Sequence, residues 1–387
     1  MPAPPAAATG RRVGPTPVIR ERGSVLDPKR WLGQLATVVT PPARSAPRST
    51  TRAPLHDAPP VAWRDGVQLA GSVVWCDAAR ARDLTFVSHA HVGCRPAHRK
   101  VLTTERTLAL LQALSPDGAG RGTRAGEVLV SPFGRPFSLG GLRLELFPSG
   151  HVPGAASLLV VDADGRRVIY GGDVNSARSL GEGAEVRGAD VLVLEAPLAT
   201  RHTLLPPRAE LHALLVEKVR RAMEAGKRPV VLAPPLGVAQ EAARVLGEAG
   251  VALRAHRRIH AVCQAYAPLG LALPAVARYS GRVAAGEALL WPLEPRRAPP
   301  PLVENRHIIA LSGLALEPAL LPALAADEAL PLCDHADLAA LVRYVRDTGA
   351  RDVYLTFGHG EPLSSALAPL GVRAFPLGPP RQMELFA

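Results

Sequence analysis

With 387 residues, 47% of them hydrophobic, the chain is long enough for two domains, or for one domain with a large insertion, around a sizeable core. Aromatic residues make up only 4%, so Leu, Val and Ala must carry the packing. The net charge of +11 suits a polyanionic partner, four cysteines without a C-x-x-C pair argue against a disulfide framework, and no run is long and apolar enough to span a bilayer.

Residues 1–58 are rich in Pro, Ala, Arg, Ser and Thr, lack sustained periodicity, and are expected to form a disordered tail. Nine basic residues against three acidic ones place +6 of the net charge in this tail, so the basicity of the folded part is milder than the total suggests. From Val61 the pattern turns strand-like, with Gln68–Trp75 read as one strand. An apolar run then ends in Ser88-His89-Ala90-His91. Alternate side chains of an extended chain share a face, so His89 and His91 can reach one ion together.

A helix is expected over Glu105–Ala113. Alternation over Leu142–Phe147 marks a half-buried strand, and His151 follows in a Gly-flanked turn. Asp162-Ala163-Asp164-Gly165 reads as a hairpin turn, and Asp173 stands just past the next strand behind Gly171 and Gly172. Val191–Leu194 is a short buried strand. The β-α-β-α rhythm over 201–305 predicts an inserted α/β unit with parallel strands, including helices over Pro206–Ala225 and Gln240–Gly250. A further helix is expected over Asp337–Thr348, ended by Gly349, and a strand over Arg351–Phe357. Three neutral imidazoles, His89, His91 and His151, with the carboxylate of Asp173, make a nitrogen/oxygen set suited to zinc or manganese. His56, His98, His202, His212, His256, His260 and His307 receive no functional role.

These segments, in this order, resemble the metallo-β-lactamase fold of the β-CASP nuclease branch, and within it the bacterial ligase-associated DNA exonucleases and mRNA 3′-end-processing-factor-like proteins. The likeness rests on His89 and His91, on Ser149-Gly150-His151, on Gly171-Gly172-Asp173, on the acidic strand ending at Glu195, on Ile308–Gly313, on Asp334-His335-Ala336-Asp337, and on Gly358-His359-Gly360-Glu361. It covers about Val61 to Pro380. It implies an α/β (αββα) sandwich over 59–200 and 306–387, with a β-CASP-like insertion over 201–305 and Ile308–Gly313 as the return strand. It further implies a metal-dependent phosphodiesterase acting on single-stranded DNA or RNA and partnered with DNA ligase or helicase repair proteins, while the cysteine usage fits a reducing, cytoplasmic compartment. By the same resemblance Asp173 bridges two ions, His335 protonates the leaving oxygen, Glu195 orients His335 or the site backbone, and His359 serves the second ion.

The family pattern has Asp and His at positions 93 and 94, where this chain has Gly93 and Cys94. The second-metal set is then at most Asp173, His359 and Cys94, the last as a thiolate. One Zn2+ held by the three histidines and Asp173, with Mn2+ as the alternative, is the expected cofactor. Two branches stay open: a nuclease weakened by loss of second-metal ligands, and a pseudonuclease that binds nucleic acid or scaffolds a repair complex.

Overall fold

The computed structural model describes residues 60–378 except 70–71, 92–96, 116–125, 178–179, 200–204, 295–300, 302, 318 and 359. The expected tail, Gly93, Cys94 and His359 lie outside the described residues.

The first sheet runs in simple sequence order through β1 (Val61–Trp63), β2 (Val67–Leu69), β3 (Trp75–Cys76), β4 (Leu84–Phe86), β5 (Lys100–Thr103) and β6 (Glu127–Val130). The stretch expected as one strand over Gln68–Trp75 is instead a hairpin: β2 and β3 pair antiparallel, Val67 opposite Cys76, and Ser72 closes the turn with its amide donating to the Leu69 carbonyl at 3.1 Å. The Ser72 hydroxyl, which donates to the Leu69 carbonyl at 2.8 Å and accepts from the Val74 amide at 3.1 Å, holds the turn that splits the run. Helix α1 (Glu105–Ala113) follows β5, capped by the Thr104 hydroxyl, which accepts from the Thr107 amide.

The second sheet begins with the antiparallel meander β7 (Phe137–Leu139), β8 (Leu142–Pro148), β9 (Ala156–Val161) and β10 (Arg167–Gly172), then adds β11 (Val191–Ala196) in parallel. The period of two sorts its side chains between faces. Leu144, Leu158, Tyr170 and Val193 meet Leu84, Phe86 and Leu102 of the first sheet in one shared core. The alternate residues Leu159, Ile169, Leu192 and Leu194 build a separate core on the opposite face.

A third sheet follows. It is entirely parallel, in the order β14-β13-β15-β12-β16-β17, formed by β12 (Arg228–Ala233), β13 (Ala252–Ala255), β14 (Val276–Arg278), β15 (Glu287–Pro292), β16 (Arg306–Leu311) and β17 (Glu328–Leu330). Helices α2 (Arg208–Glu224), α3 (Val238–Glu248) and α4 (Arg257–Tyr266) pack on it through Leu211, Leu215, Ala239, Ala242, Leu246 and Ile259. The sheet extends past position 305, where the sequence pattern ended the insertion. Ile308 and Ile309 of the expected return strand pair with Val230 and Val231 of β12. A fully apolar buried strand reads the same in any parallel sheet, so the pattern carries no sign of which sheet it joins. A short α5 (Leu320–Leu324) precedes β17.

The chain rejoins the second sheet through α6 (Leu338–Thr348), capped by Asp337 and ended by Gly349 at φ 69°, and then β18 (Asp352–Gly358), which pairs parallel with β11. Phe357 is skipped in that pairing, so a bulge precedes position 359. Helix α7 (Gly360–Leu367) and edge strand β19 (Arg373–Pro376) complete the fold. Leu341, Tyr344 and Val345 of α6 and Leu363 and Leu367 of α7 cover the outer face of the second sheet. On the outer face of the first sheet, Val87 and Val101 pack with Leu110 of α1 and with Leu236, Val262 and Tyr266 of the third-sheet lobe. No helix among the described residues is long and apolar enough to cross a membrane.

Candidate metal centre

Three strand ends and one lobe converge on a cluster of imidazoles. The segment after β4 is pinned by Asp77, which sits at φ 46° just past β3. Its carboxylate accepts from the Ser88 amide at 2.8 Å, the Ser88 hydroxyl at 2.5 Å and the Tyr170 hydroxyl at 2.9 Å. The Ser88 hydroxyl spends its proton on Asp77, so it accepts from His89 Nδ1–H at 2.8 Å. That leaves the Nε2 lone pair of His89 facing inward, 3.8 Å from Asp173 Oδ2.

His151 is fully buried in the turn after β8. Gly150 before it has φ +78°, and a Cβ there would lie 2.0 Å from the Asn175 carbonyl oxygen, so only glycine permits this close backbone approach. His151 Nδ1–H donates to the Asp334 carbonyl at 3.0 Å. His91 Nε2–H donates to the Leu236 carbonyl at 3.1 Å. The inward nitrogens, His91 Nδ1 and His151 Nε2, lie 3.0 Å apart. With both protons assigned outward by these acceptors, two lone pairs confront each other at that distance. Such a pair is repulsive unless a positive charge sits among them. A cation relieves it, and the donor atoms of His89, His91 and His151 all lie within 4.8 Å of one another.

The surroundings favour the neutral, ligand form of each ring, although His91, unlike the buried His89 and His151, is exposed as a residue. Desolvation is the main cause in all three. It holds His89 and His151 well below the ordinary imidazole range, reinforced by the neighbouring imidazoles, and with His335 it lowers His91 to about 4. Asp173 is buried past β10; its Oδ2 is 3.8 Å from His151 Nε2 and its Oδ1 is 3.6 Å from His335 Nδ1. Burial raises the Asp173 pKa, and His335 opposes that rise. His335 stacks on His151 with ring centroids 4.7 Å apart and planes within 11°. Its Nδ1 is buried without a hydrogen-bond partner, while 31% of the side chain is exposed, so the accessible part of the ring lies away from Asp173. His151, Asp173 and His335 form a second potential ligand group.

Five of the sequence-predicted site residues, His89, His91, His151, Asp173 and His335, therefore meet in space. Glu195 stands behind them. Its Oε1 lies 3.3 Å from the Tyr170 hydroxyl, whose one proton goes to Asp77, and burial, then Asp173 and Asp77, push its carboxyl up to about 9. It is a neutral acid at neutral pH, and its hydrogen-bond contact is with Tyr170 and not with His335, one of the two targets the resemblance gave it. Cys94 and His359 lie outside the described residues.

Several contributors carried no sequence signal. Asp77 is an acid at a strand end, which was visible, but nothing linked it to Ser88. Leu236 acts through its carbonyl. The Asp334 carbonyl accepts from both His151 and Asn175 Nδ2, the latter at 2.8 Å, while the Asp334 side chain accepts from the Val238 amide at 3.1 Å. Asp334 thus caps α3 of the third-sheet lobe, and Asp337 caps α6. A cavity of about 310 Å³ opens beside His335, with Asn175, Ser176, Arg208 and Arg343 in its walls.

No family model matches the chain. It is 26% identical over 316 residues to a probable DNA ligase of Opitutus terrae, covering 80% of this chain and 30% of that protein. It is 27% identical over 103 residues to an RNase J-like protein of Methanocaldococcus jannaschii, covering 26% of this chain and 24% of that one. The chain thus spans less than a third of the length of these curated relatives. A crystal structure of a protein of unknown function from Enterococcus faecalis shares the fold, with a TM-score of 0.52 at 14% identity over 77% of this chain and 79% of that one.

Proposed function

The chain belongs to the β-CASP nuclease branch of the metallo-β-lactamase superfamily, and from that premise we propose that it is a metal-dependent phosphodiesterase that cuts DNA or RNA. The layered sheets are read as the metallo-β-lactamase sandwich and the third-sheet lobe as its β-CASP insertion. The observation that carries the proposal is the 3.0 Å approach of two inward lone pairs, on His91 and His151, beside His89 and Asp173.

Zn2+ would be held by His89, His91, His151 and Asp173, and when bound it supplies Lewis-acid polarisation of a phosphoryl oxygen and acidification of water. Asp77 and Ser88 fix the ring of His89, and the Leu236 and Asp334 carbonyls fix those of His91 and His151. His335, half open to solvent and backed by Asp173, is positioned to hand a proton to the departing oxygen. The cavity beside it, with Arg208 and Arg343, would take the strand next to the scissile bond. The match to a ligase supports a role beside DNA ligation in repair, and the RNase J-like match keeps RNA as a substrate. Free buried Cys76, Cys263 and Cys333 fit a reducing cytoplasmic setting.

Gly93 and Cys94 favour a second reading, a pseudonuclease that binds strands without cutting them, because both replace second-metal ligands of the family pattern. End-labelled single-stranded DNA and RNA, incubated with the zinc- or manganese-loaded protein, separate the two. Shortening abolished by a chelator supports the nuclease. Retarded but intact strands support the binding protein, and neither outcome would remove both.

A further inference from the structure

Two of the three triad imidazoles take their orientation from outside the sandwich that carries them. His91 Nε2–H is accepted by Leu236, in the loop after β12, at 3.1 Å. His151 Nδ1–H is accepted by Asp334, in the loop after β17, at 3.0 Å. Both acceptors belong to the carboxyl edge of the third sheet, and they are tied to each other. The Asp334 carboxylate accepts from the Val238 amide at 3.1 Å, one residue beyond Gly237 and two beyond Leu236. The contact is tight, since Gly237 has φ +87° and a Cβ there would fall 2.1 Å from Asp334 Oδ2.

A buried ion-pair cluster braces that contact. Arg208, at the start of α2, presents its fork to Glu241 of α3, with Nε 2.5 Å from Oε1 and Nη2 on Oε2. Its remaining nitrogen, Nη1, donates to the Cys333 carbonyl at 3.1 Å, and Nη2 lies 3.8 Å from Asp334 Oδ1. His212 Nε2 lies 2.6 Å from Glu241 Oε1. Glu241 is 2% exposed and Asp334 4%, and Asp334 Oδ1 has no hydrogen bond of its own. A bidentate fork on a buried carboxylate fixes direction as well as distance. Through the 333–334 backbone it also fixes where the Asp334 carbonyl points.

We propose that Arg208 and Glu241 are positioning residues for the metal centre: their buried pair holds the third-sheet lobe in the register at which the Leu236 and Asp334 carbonyls set the tautomers of His91 and His151. The inference rests on the metal-centre reading, and neither residue touches substrate. Outer partners of metal-bound histidines contribute about 10–100-fold to metal affinity, which sets the expected size of the effect.

The test uses the full chain in three forms: wild type, Glu241→Gln, and the double variant Arg208→Met with Glu241→Gln. The double variant removes both charges of the fork and leaves the Asp334 carboxyl its Val238 amide, so it guards against simple failure to fold. Arg254→Gln is the control, because Arg254 of β13 and Glu287 of β15 form an ion pair of the same lobe at 2.6 Å. Two readouts are taken. Zinc affinity is measured by competition with a chromophoric chelator, and the imidazole tautomers of the metal-free protein are read by long-range ¹⁵N–¹H correlation.

The expected result is zinc affinity lowered about 10–100-fold in both test variants and unchanged in Arg254→Gln. In the metal-free test variants His91 and His151 should lose their fixed tautomers while His89, held by Ser88, keeps its own. Unchanged affinity and tautomers in the folded double variant would overturn the proposal even if zinc binds the wild type. If zinc binds no form, the metal reading falls, and the tautomers of the metal-free chain still decide whether Arg208 and Glu241 orient the rings.

Discussion

The two lobes contribute to the site in different currencies. The sandwich supplies side chains, with His89, His91, His151 and Asp173 standing at strand ends where a rigid frame aims them. The third-sheet lobe and the segment leaving it supply His335 and, through Leu236 and Asp334, two backbone carbonyls. The candidate ligands therefore reside in one lobe and the groups that orient two of them in the other. Strand-end ligands can be found by residue type, whereas an accepting carbonyl belongs to every residue and announces nothing.

That contrast can be broken or sharpened by substitution. His151→Ala should have the largest effect, because this ring is fully buried and both of its nitrogens are engaged. Zinc affinity should fall more than about 100-fold, beyond what any outer partner contributes. Calorimetric titration checks it, and a loss no larger than that of Glu241→Gln would erase the distinction between the lobes.

Gly237→Ala strikes the seam itself. The added Cβ has Asp334 Oδ2 at 2.1 Å and a positive φ to accommodate, so stability should drop by about 1–3 kcal/mol, with zinc affinity falling alongside. Gly250→Ala has a similar φ, +80°, but nothing within 4 Å, and should leave zinc affinity unchanged. Denaturant unfolding paired with zinc titration separates backbone strain from the seam. Asn175→Ala removes one of two donors to the Asp334 carbonyl and should cost about 1 kcal/mol, measured the same way.

Glu195→Gln should have the smallest effect on turnover, within about threefold, because the carboxyl already carries its proton at neutral pH; a loss of about 10²–10⁴ would make Glu195 a general acid or base instead. Its stability effect has a defined sign. The folded pKa, about 9, lies above the ordinary 4.5, so the folded form holds a proton that the unfolded chain has lost in between. Wild-type stability from this group is full below 4.5 and is lost as pH rises through 9. The variant cannot ionise, so it should gain on the wild type steadily between those values in unfolding titrations.

Much of this arrangement was legible from residue order. An alternating run located β8 and short apolar runs located β10 and β11, and the Thr104 and Asp337 caps open α1 and α6 where the pattern placed them. Helix α4 went unassigned although Ile259, Val262, Cys263 and Tyr266 form a buried helical stripe, because one histidine and two arginines dilute it. The extent of the third sheet was hidden for another reason. Ile308–Leu311 is buried on both faces, and such a strand advertises its depth but not its neighbours. Asp77 and Tyr170 were out of reach because their link to Ser88 spans 11 and 93 residues of chain through one carboxylate.

The central claim is that three imidazoles and Asp173 enclose one cation. Zinc titrated calorimetrically into the metal-free full chain tests it most directly. One equivalent should bind to the wild type and none at comparable affinity to a variant carrying His89→Ala with His91→Ala. Failure of the wild type to bind, or undiminished binding by that double variant, would contradict it.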